Sequence, residues 1–339
     1  MKKYDFRMAP FELHGVPNWD GKREMERVPE SVVKQLECQD FMPSLARRCP
    51  GARLCFRTDS KNVAFTIELE SISVDIGMSI YSCQSGNMYV GDRQTARYAG
   101  LVKPIDGYNS TTCKGSLEKS DIMEDIVLYL PRNEHVKSIE IELDDDAKLE
   151  APTPFKYQKP LMFYGSSITE GGCCSKPANA YNAIVARHLD ADYYNFGFSG
   201  SARGEIAMAD YINTIDKSVF ILDYDHNSPS ADHLRATHEK FFKRIREHDP
   251  LMPIIIMSRP DFDFWPECAE RRDIVRATYE NAIAAGDKNV YFIDGETLFG
   301  TDDRMLCSND CIHPNDLGMY RMAQAVEPVV RAAMGAACV

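Results

Sequence analysis

The chain is 339 residues long, has a formal net charge of −12 and consists of 44% hydrophobic residues. This acidic balance argues against nucleic acid and against an anionic membrane surface as main partners, because both are bound by basic patches. The sequence also contains no apolar run near the length of about 18 residues that a transmembrane helix needs, and the length favours two domains.

The N-terminus and the cysteines indicate where the chain works. Lys2 and Lys3 are not followed by an apolar segment, so residues 1–6 do not match a secretory signal. The 11 cysteines are odd in number and lack the spacing of a zinc or haem motif. We therefore expect free thiols in a reducing, cytoplasmic compartment.

Residues 1–154 show the two-residue periodicity of half-buried β-strands. Apolar and polar residues alternate over 63–69, 74–80 and 139–143, and turn-forming sequences such as Ser85-Gly86-Asn87 lie between such segments. This pattern predicts an antiparallel sandwich, with one short helix over 29–36. No Ser–His–acid constellation stands out here. The half is therefore a structural or lid domain, a source of substrate-binding loops, or a sugar-binding domain in its own right.

A stiff, proline-bearing linker at 151–154 marks the predicted boundary between domain 1–154 and domain 155–339. Beyond it, apolar strand-like runs at 161–164, 193–198, 219–224, 253–257 and 290–293 alternate with helical periodicity over about 178–189 and 231–248, over a segment ended by Gly286, and after Asp316. Strands that are buried on both faces and joined by helices predict a doubly wound parallel sheet of the α/β class.

Polar residues follow the predicted strands, at the edge where ligands bind in such sheets. Ser167 follows the first strand, residues 198–201 the second and 225–228 the third. Arg259 follows the fourth, with Trp265 nearby, and the sequence 310–315 lies between the fifth strand and the last helix. We expect these groups to meet at one site.

This order of blocks resembles the SGNH hydrolases, the GDSL-type esterases and acylhydrolases, from about Pro160 to the C-terminus. The resemblance is carried by the sequences GSSIT (165–169) and NFGFSG (195–200), by Asn227, and by Asp310 with His313. It implies a flavodoxin-like three-layer α/β/α hydrolase domain. The first half resembles the all-β jelly-roll sandwich that precedes this domain in some members, including family-two carbohydrate acetyl esterases and some acyltransferases.

The resemblance implies roles for five residues. Ser167 corresponds to the nucleophile, His313 to the base that takes its proton, and Asp310 to the acid that orients the imidazole. The backbone N–H groups of Ser167 and Gly200 and the side chain of Asn227 correspond to the oxyanion hole. The sequence departs from the usual pattern in having Ser166 where an aspartate is common, and DHNS (225–228) in place of Gly-x-Asn-Asp; neither change removes an atom that the mechanism requires.

Further residues at this edge are candidates for substrate binding. Asp225 is expected to shape the acyl pocket and His226 to line the cleft. Arg259 and Trp265 suit hydrogen bonding and stacking with a sugar, with simple packing as the alternative. We expect no metal, because Asp223 and Asp225 lack histidine or cysteine ligands at a suitable spacing, and the chain shows no sign of a cofactor.

The sequence thus predicts a two-domain serine esterase that works through an acyl-enzyme. The two-domain resemblance favours a small-molecule or oligosaccharide ester, above all O-acetyl groups on carbohydrate, as the substrate. Two alternatives remain open: an acyltransferase with the same triad, and a glycan-binding protein without catalysis. The sequence does not indicate the acyl chain, the alcohol or the oligomeric state.

Overall fold

A computed structural model describes residues 1–75, 77–260 and 265–337. Within these ranges, the first half of the chain forms a curled antiparallel sheet, and the second half forms a parallel sheet covered by helices on both faces. This is the predicted fold class, a jelly-roll sandwich followed by a three-layer α/β/α domain. None of the described helices is long and apolar enough to cross a membrane.

The antiparallel sheet has ten strands, in the order β1-β9-β4-β7-β6-β5-β8-β3-β10 with β2 beside β3. Their bounds are β1 Lys2–Asp5, β2 Glu12–His14, β3 Arg53–Thr58, β4 Asn62–Leu69, β5 Gly86–Val90, β6 Arg97–Pro104, β7 Thr112–Glu118, β8 Glu124–Tyr129, β9 Val136–Leu143 and β10 Leu149–Glu150. Strand β6 pairs with both β5 and β7 and so folds the sheet onto itself. Alternate residues such as Phe65 and Ile141, which are paired across β4 and β9, fill the core between the two layers.

Three short helices accompany this sheet: α1 Glu30–Val33, α2 Met42–Arg47 and α3 Ile80–Cys83. A helix lies within the expected segment 29–36 but covers only Glu30–Val33. The strand expected at 74–80 is wrong, since α3 begins at Ile80 and the described residues before it form no strand. Ile76, in the middle of that prediction, lies outside the described residues. Local polar contacts occupy this part of the chain instead: Glu134 accepts from the Ser73 N–H at 2.7 Å, Asp75 accepts from the Asn133 amide at 2.9 Å, and Ser79 Oγ caps α3 by accepting from the Ser82 N–H at 3.3 Å.

The parallel sheet has the order β12-β11-β13-β14-β15. Its strands are β11 Tyr157–Gly165, β12 Ala191–Gly197, β13 Val219–Asp223, β14 Ile254–Met257 and β15 Val290–Ile293. Helices α5 Tyr181–Leu189 and α9 Asp316–Ala337 cover one face, and α6 Ile206–Asn213, α7 Ala231–His248 and α8 Cys268–Ala284 cover the other. All five strands match the predicted segments, whereas α6 and the one-turn helix α4 Ser167–Glu170 were not predicted.

Residues of the first half of the chain also pack against the second half and donate hydrogen bonds to it. Helices α1 and α2 pack into the same apolar cluster as β11, β12 and β13, through Val33, Met42 and Leu45. Beside them, the fully buried Arg27 donates from Nη1 to the carbonyl oxygens of Asn195 at 2.8 Å and Gly197 at 2.7 Å. The carboxyl end of β12 is therefore held by a residue from the other half of the chain.

Candidate active site

Ser167 is the first residue of α4 and is separated from the end of β11 by Ser166 alone. The turn depends on Gly165, since a Cβ there would lie only 2.1 Å from the carbonyl oxygen of Asp223 on the neighbouring strand. Ser166 caps the short helix, its Oγ accepting from the Ile168 N–H at 3.1 Å. These constraints fix the Ser167 hydroxyl at the carboxyl edge of the parallel sheet.

Ser167, His313 and Asp310 form one hydrogen-bonded chain. Ser167 Oγ lies 2.8 Å from His313 Nε2, and His313 Nδ1 lies 2.7 Å from Asp310 Oδ2. The other oxygen, Asp310 Oδ1, accepts from the backbone N–H of His313 at 2.7 Å. If Nδ1 carries the proton, Nε2 is free to accept one from the serine hydroxyl, as a nucleophile requires.

Hydrogen bonding also keeps Asp310 ionised. Partial burial raises the pKa of this carboxyl, but the hydrogen bonds from the side chain and backbone of His313 outweigh burial, so the pKa lies below its ordinary value. A carboxylate in this position favours the imidazolium that forms when His313 takes a proton. The arrangement can therefore activate a hydroxyl near neutral pH.

A turn after β12 brings Gly200 to the same edge. Gly200 has φ +65°, a left-handed conformation that favours glycine, while the space around its missing Cβ is open. The backbone angle is therefore a reason for glycine at this position. Next to it, Ser199 donates its N–H to Glu170 Oε2 at 2.9 Å and its hydroxyl to the same oxygen at 2.5 Å. The Glu170 carboxylate thus anchors the turn.

Asn227 ends the 3-10 turn Asp225–Asn227 that follows β13. Its Oδ1 accepts from the Ala202 N–H at 3.3 Å, which turns the Nδ2 donors away from that loop. Ser167, Gly200 and Asn227 line one cleft. Within the described ranges, the backbone N–H groups of Ser167 and Gly200 and Asn227 Nδ2 have no hydrogen-bond acceptor, so three donors are available to a group bound there.

The cleft is open and has a volume of about 710 Å³. Both halves of the chain line it: Asp75 and Met78 from the first half, and Ser167, Ser199, Gly200, His226, Asn227, Arg259, Trp265, Pro266, Glu267, Arg271, Ile312 and His313 from the second. Of the interpretations left open for the first half, the contribution of a loop to the binding cleft is the one that this lining favours.

The four candidate substrate-binding residues occupy different positions. His226, Arg259 and Trp265 line the cleft, whereas Asp225 is fully buried behind it and accepts the Arg259 backbone N–H on Oδ2 at 3.2 Å. Burial raises the pKa of Asp225, and the charge of Arg259 opposes that rise. Enclosure in the cleft wall, together with the charges of Arg259, His313 and Arg271, lowers the pKa of His226 well below its ordinary value, so this imidazole is neutral.

The aspartates considered for a metal have other partners. Asp223 is buried and accepts from the hydroxyls of Thr169 at 2.9 Å and Tyr181 at 3.2 Å, and burial raises its pKa well above the ordinary value. In the described part of the chain, the potential ligand atoms that lie within 4.8 Å of one another belong to Cys173, Asp310 and His313. Both nitrogens of His313 already have partners in Ser167 and Asp310, so the group does not fit a resident metal.

Two residues that hold parts of the site in place were not predicted from the sequence. Glu170 lies three residues after Ser167 in the same block, and a carboxylate at that position was a usable signal. Arg27 gave no signal, because it acts on a strand end that is distant in the sequence.

Comparisons with known proteins identify the family of the chain. Residues 158–331 match the GDSL-like lipase/acylhydrolase family, and residues 1–149 match the N-terminus of SGNH-type esterases. A comparison with curated proteins found no significant match.

Solved structures share the fold over nearly the whole chain. A GDSL-like lipase from Bacteroides ovatus is 24% identical, with a TM-score of 0.85 over 98% of both chains. The salicylyl-acyltransferase SsfX3 of a tetracycline biosynthetic pathway is 21% identical, with a TM-score of 0.79 over 98% of this chain and 97% of that one. A family-two carbohydrate esterase from Clostridium thermocellum, in complex with cellohexaose, is 16% identical, with a TM-score of 0.65 over 85% of this chain and 94% of that one. The chain therefore belongs to the GDSL-like lipase/acylhydrolase family and is an ester hydrolase.

Proposed function

We propose that this chain is a serine esterase that removes acetyl or similarly short acyl groups from the hydroxyls of carbohydrates. The observation that carries the proposal is the hydrogen-bonded chain Ser167–His313–Asp310, with separations of 2.8 and 2.7 Å, at the edge of an open cleft. Family membership supports ester hydrolysis in general, and the hydrogen-bonded triad supports these atoms as the ones that carry it out.

The reaction proceeds in two halves. Ser167 Oγ attacks the ester carbonyl carbon while its proton moves to His313 Nε2, and the carbonyl oxygen becomes an oxyanion. The N–H groups of Ser167 and Gly200 and the Asn227 amide stabilise that charge. His313 then gives its proton to the leaving alcohol oxygen, and the acyl-enzyme remains. Water attacks the acyl-enzyme with His313 as base, which releases the carboxylic acid and restores Ser167.

The cleft supports a polar alcohol and a short acyl group. Of its described lining residues, Met78, Trp265, Pro266 and Ile312 are the large apolar ones, too few to cover a long acyl chain. Trp265 is 46% exposed beside Arg259, an aromatic face next to hydrogen-bond donors, as sugars require. The structural relative from Clostridium thermocellum that binds cellohexaose has the same fold, which supports a carbohydrate substrate.

The test is acetate release from 4-nitrophenyl acetate and from acetylated xylo- and manno-oligosaccharides, with the wild type, Ser167→Ala and the exposed-serine control Ser31→Ala. We expect Ser167→Ala alone to abolish turnover on all of them. If only the aryl ester is cut, the triad is correct and the carbohydrate is wrong. If a folded wild type cuts none of them, the esterase proposal fails and the chain is better tested as a glycan-binding protein.

A second candidate function is acyl transfer through the same acyl-enzyme. It is favoured by the likeness to the salicylyl-acyltransferase SsfX3, which extends over 98% of this chain. An open cleft also leaves room for an acceptor alcohol in place of water. Adding excess methyl glycosides during 4-nitrophenyl acetate turnover distinguishes the two: a transferase makes acetylated glycoside at the expense of free acetate, whereas an esterase does not.

A further inference from the structure

Two arginines line the cleft and differ in their partners. Arg271 is fully engaged: Nη1 donates to the carbonyl oxygens of Asp225 and Ser228, both at 2.9 Å, and Nε and Nη2 donate to Glu267 at 3.2 and 3.1 Å. Arg259 is only 7% exposed, yet its Nε and Nη2 have no hydrogen-bond partner in the described ranges. Buried donors without partners lower the stability of a fold, so the unpaired nitrogens of this guanidinium indicate a binding site for a ligand.

The two free donors share one direction. Nε–H and Nη2–H are the parallel pair on one side of a guanidinium, the pair that binds both oxygens of a carboxylate in a side-on fork. On Arg271 the same pair is already occupied, since both nitrogens donate to a single oxygen, Glu267 Oε2. On Arg259, neither nitrogen of this pair has a hydrogen-bond partner among the described residues. The Arg259 side chain lines the cleft.

Among the described residues, the carboxyl groups nearby do not fill this fork. Asp225 binds the backbone N–H of Arg259 and not its guanidinium, and Glu267 is taken by Arg271. Asp75 is bound to the Asn133 amide at 2.9 Å. His226, between Arg259 and the triad, is a neutral imidazole whose buried Nδ1 also has no described partner. The wall beside His313 thus holds a guanidinium to which no side chain among the described residues is hydrogen-bonded at Nε or Nη2.

We propose that Arg259 is the anion subsite of the cleft and that the natural substrate carries a carboxylate, as in an O-acylated sugar acid. This inference rests on the proposed esterase function and narrows its substrate class. Trp265, whose ring centroid lies 5.9 Å from the Arg259 guanidinium carbon, closes the outer side of the subsite and provides a face for the sugar ring. Two sources of the carboxylate fit this chemistry: the alcohol part of the ester, or the far end of a dicarboxylic acyl group.

Matched substrates test the inference and distinguish the sources. The first pair is methyl glucuronoside and methyl glucoside, acetylated on the same hydroxyl; the second is 4-nitrophenyl hydrogen succinate and 4-nitrophenyl butyrate. For each pair we measure the ratio of kcat/KM, acidic over neutral. We expect the wild type to prefer the acidic member of one pair by roughly ten- to a hundred-fold, the range of charge-assisted hydrogen bonds. The pair that shows the preference identifies the source.

Variants connect the preference to this residue. Arg259→Gln should lower the ratio at least ten-fold, and Arg259→Lys, which keeps the charge but loses the fork, should lower it less. The control Arg235→Gln removes an exposed guanidinium that is paired with Asp232 and Glu270 and does not line the cleft, and it should leave the ratio as it is. If the Arg259 variants do not fold, the wild-type ratio remains the test, together with its decrease between low and high salt.

The outcomes keep the two proposals apart. A wild type that cuts 4-nitrophenyl acetate through Ser167 but prefers the acidic member of neither pair overturns the anion subsite and leaves the esterase intact. If no ester is cut, the esterase proposal fails, and the subsite is then judged by calorimetric binding of glucuronate and glucose. Glucuronate binding that is at least ten-fold tighter and lost in Arg259→Gln supports the subsite; equal binding overturns it.

Discussion

The two sides of the cleft differ in how their polar groups are satisfied. On the reaction side, defined by Ser167, Gly200, Asn227, Asp310 and His313, side chains are fixed by hydrogen bonds from the protein itself. On the recognition side, defined by His226, Arg259 and Trp265, two of the three residues carry buried nitrogens without described partners. The first side is organised before a substrate arrives, whereas the second is completed by the substrate.

This difference follows from what each side has to do. Groups that stabilise a transition state are most effective when they need no reorganisation, so their orientation has to be built into the fold. Groups that recognise a ligand need donors that are not bonded to the protein itself. Such donors lower the stability of the fold, because they are buried without a hydrogen-bond partner until the ligand binds. Substitutions on the reaction side should therefore lower kcat on every ester, while those on the recognition side should change the choice among esters.

The largest expected effect on the comparison comes from Asp310→Asn. An asparagine keeps the shape but favours the wrong imidazole tautomer, and we expect kcat to fall by about 10⁴ with little change in KM. The measurement is kcat and KM on 4-nitrophenyl acetate and on an acetylated sugar, with Asp146→Asn in the first half as the control. A loss under ten-fold would show that the Asp310–His313 bond does not support catalysis.

Asn227→Ala should have the next largest effect. Removing one oxyanion donor typically lowers kcat by about 10²–10³. The same factor is expected for a good and a poor leaving group, because the oxyanion is common to both. Asn281→Ala is the matched control, since this amide bonds to Glu239 on the surface. A change in KM alone would instead indicate that Asn227 acts in substrate recognition and not as an oxyanion donor.

The variant Glu170→Gln distinguishes a residue that positions a catalytic group from one that takes part in the reaction. Glu170 accepts two bonds from Ser199 and touches no reacting atom, so it is a positioning residue for the Gly200 N–H. The neutral amide keeps one acceptor oxygen but binds more weakly, and we expect kcat to fall roughly ten-fold with KM unchanged. Ser199→Ala should cause a similar loss, and the double variant should be less than additive. Strict additivity would show that the two residues act separately.

Sequence patterns captured the parallel half of the molecule better than the antiparallel half. Strands β11 to β15 are mostly buried on both faces, so most of them contain an apolar run that few other structures share. Since such strands share one edge, the residues that follow them, Ser167, Asn227 and His313, were also predictable as a group. In the antiparallel half, alternation alone suggested a strand at 74–80, where polar contacts to Glu134 decide otherwise.

What sequence could not provide is long-range. Arg27 reaches the end of β12 across the two halves, and Asp75 and Met78 enter the cleft from a segment without a catalytic motif. The sequence placed Arg259 at the edge of the site but could not show its hydrogen bonding. In the structure, Nε and Nη2 of Arg259 have no described partner, whereas the same atoms of Arg271 donate to Glu267. Local patterns record burial and turns, whereas the partner of a buried charge depends on tertiary packing.

The smallest expected effect concerns a buried imidazole that is satisfied and remote from the cleft. His238 is fully buried, bonds through Nδ1 to Thr278 Oγ1 at 2.8 Å, and burial lowers its pKa to about 3. Since the unfolded chain takes up a proton near pH 6.5 and the folded chain does not, its contribution is complete above that pH and is lost as the pH falls toward 3.

We therefore expect the free energy of unfolding to decrease by roughly 1 kcal/mol per pH unit below about pH 6 on account of this residue. Urea unfolding at pH 7, 6 and 5 measures the slope, and His238→Gln should reduce it while leaving the acidic-to-neutral substrate ratio as in the wild type. An unchanged slope would mean that other groups govern acid sensitivity. A changed ratio would mean that a hydrogen-bonded polar residue in the core also affects substrate recognition. The two sides of the cleft would then depend on the core behind them.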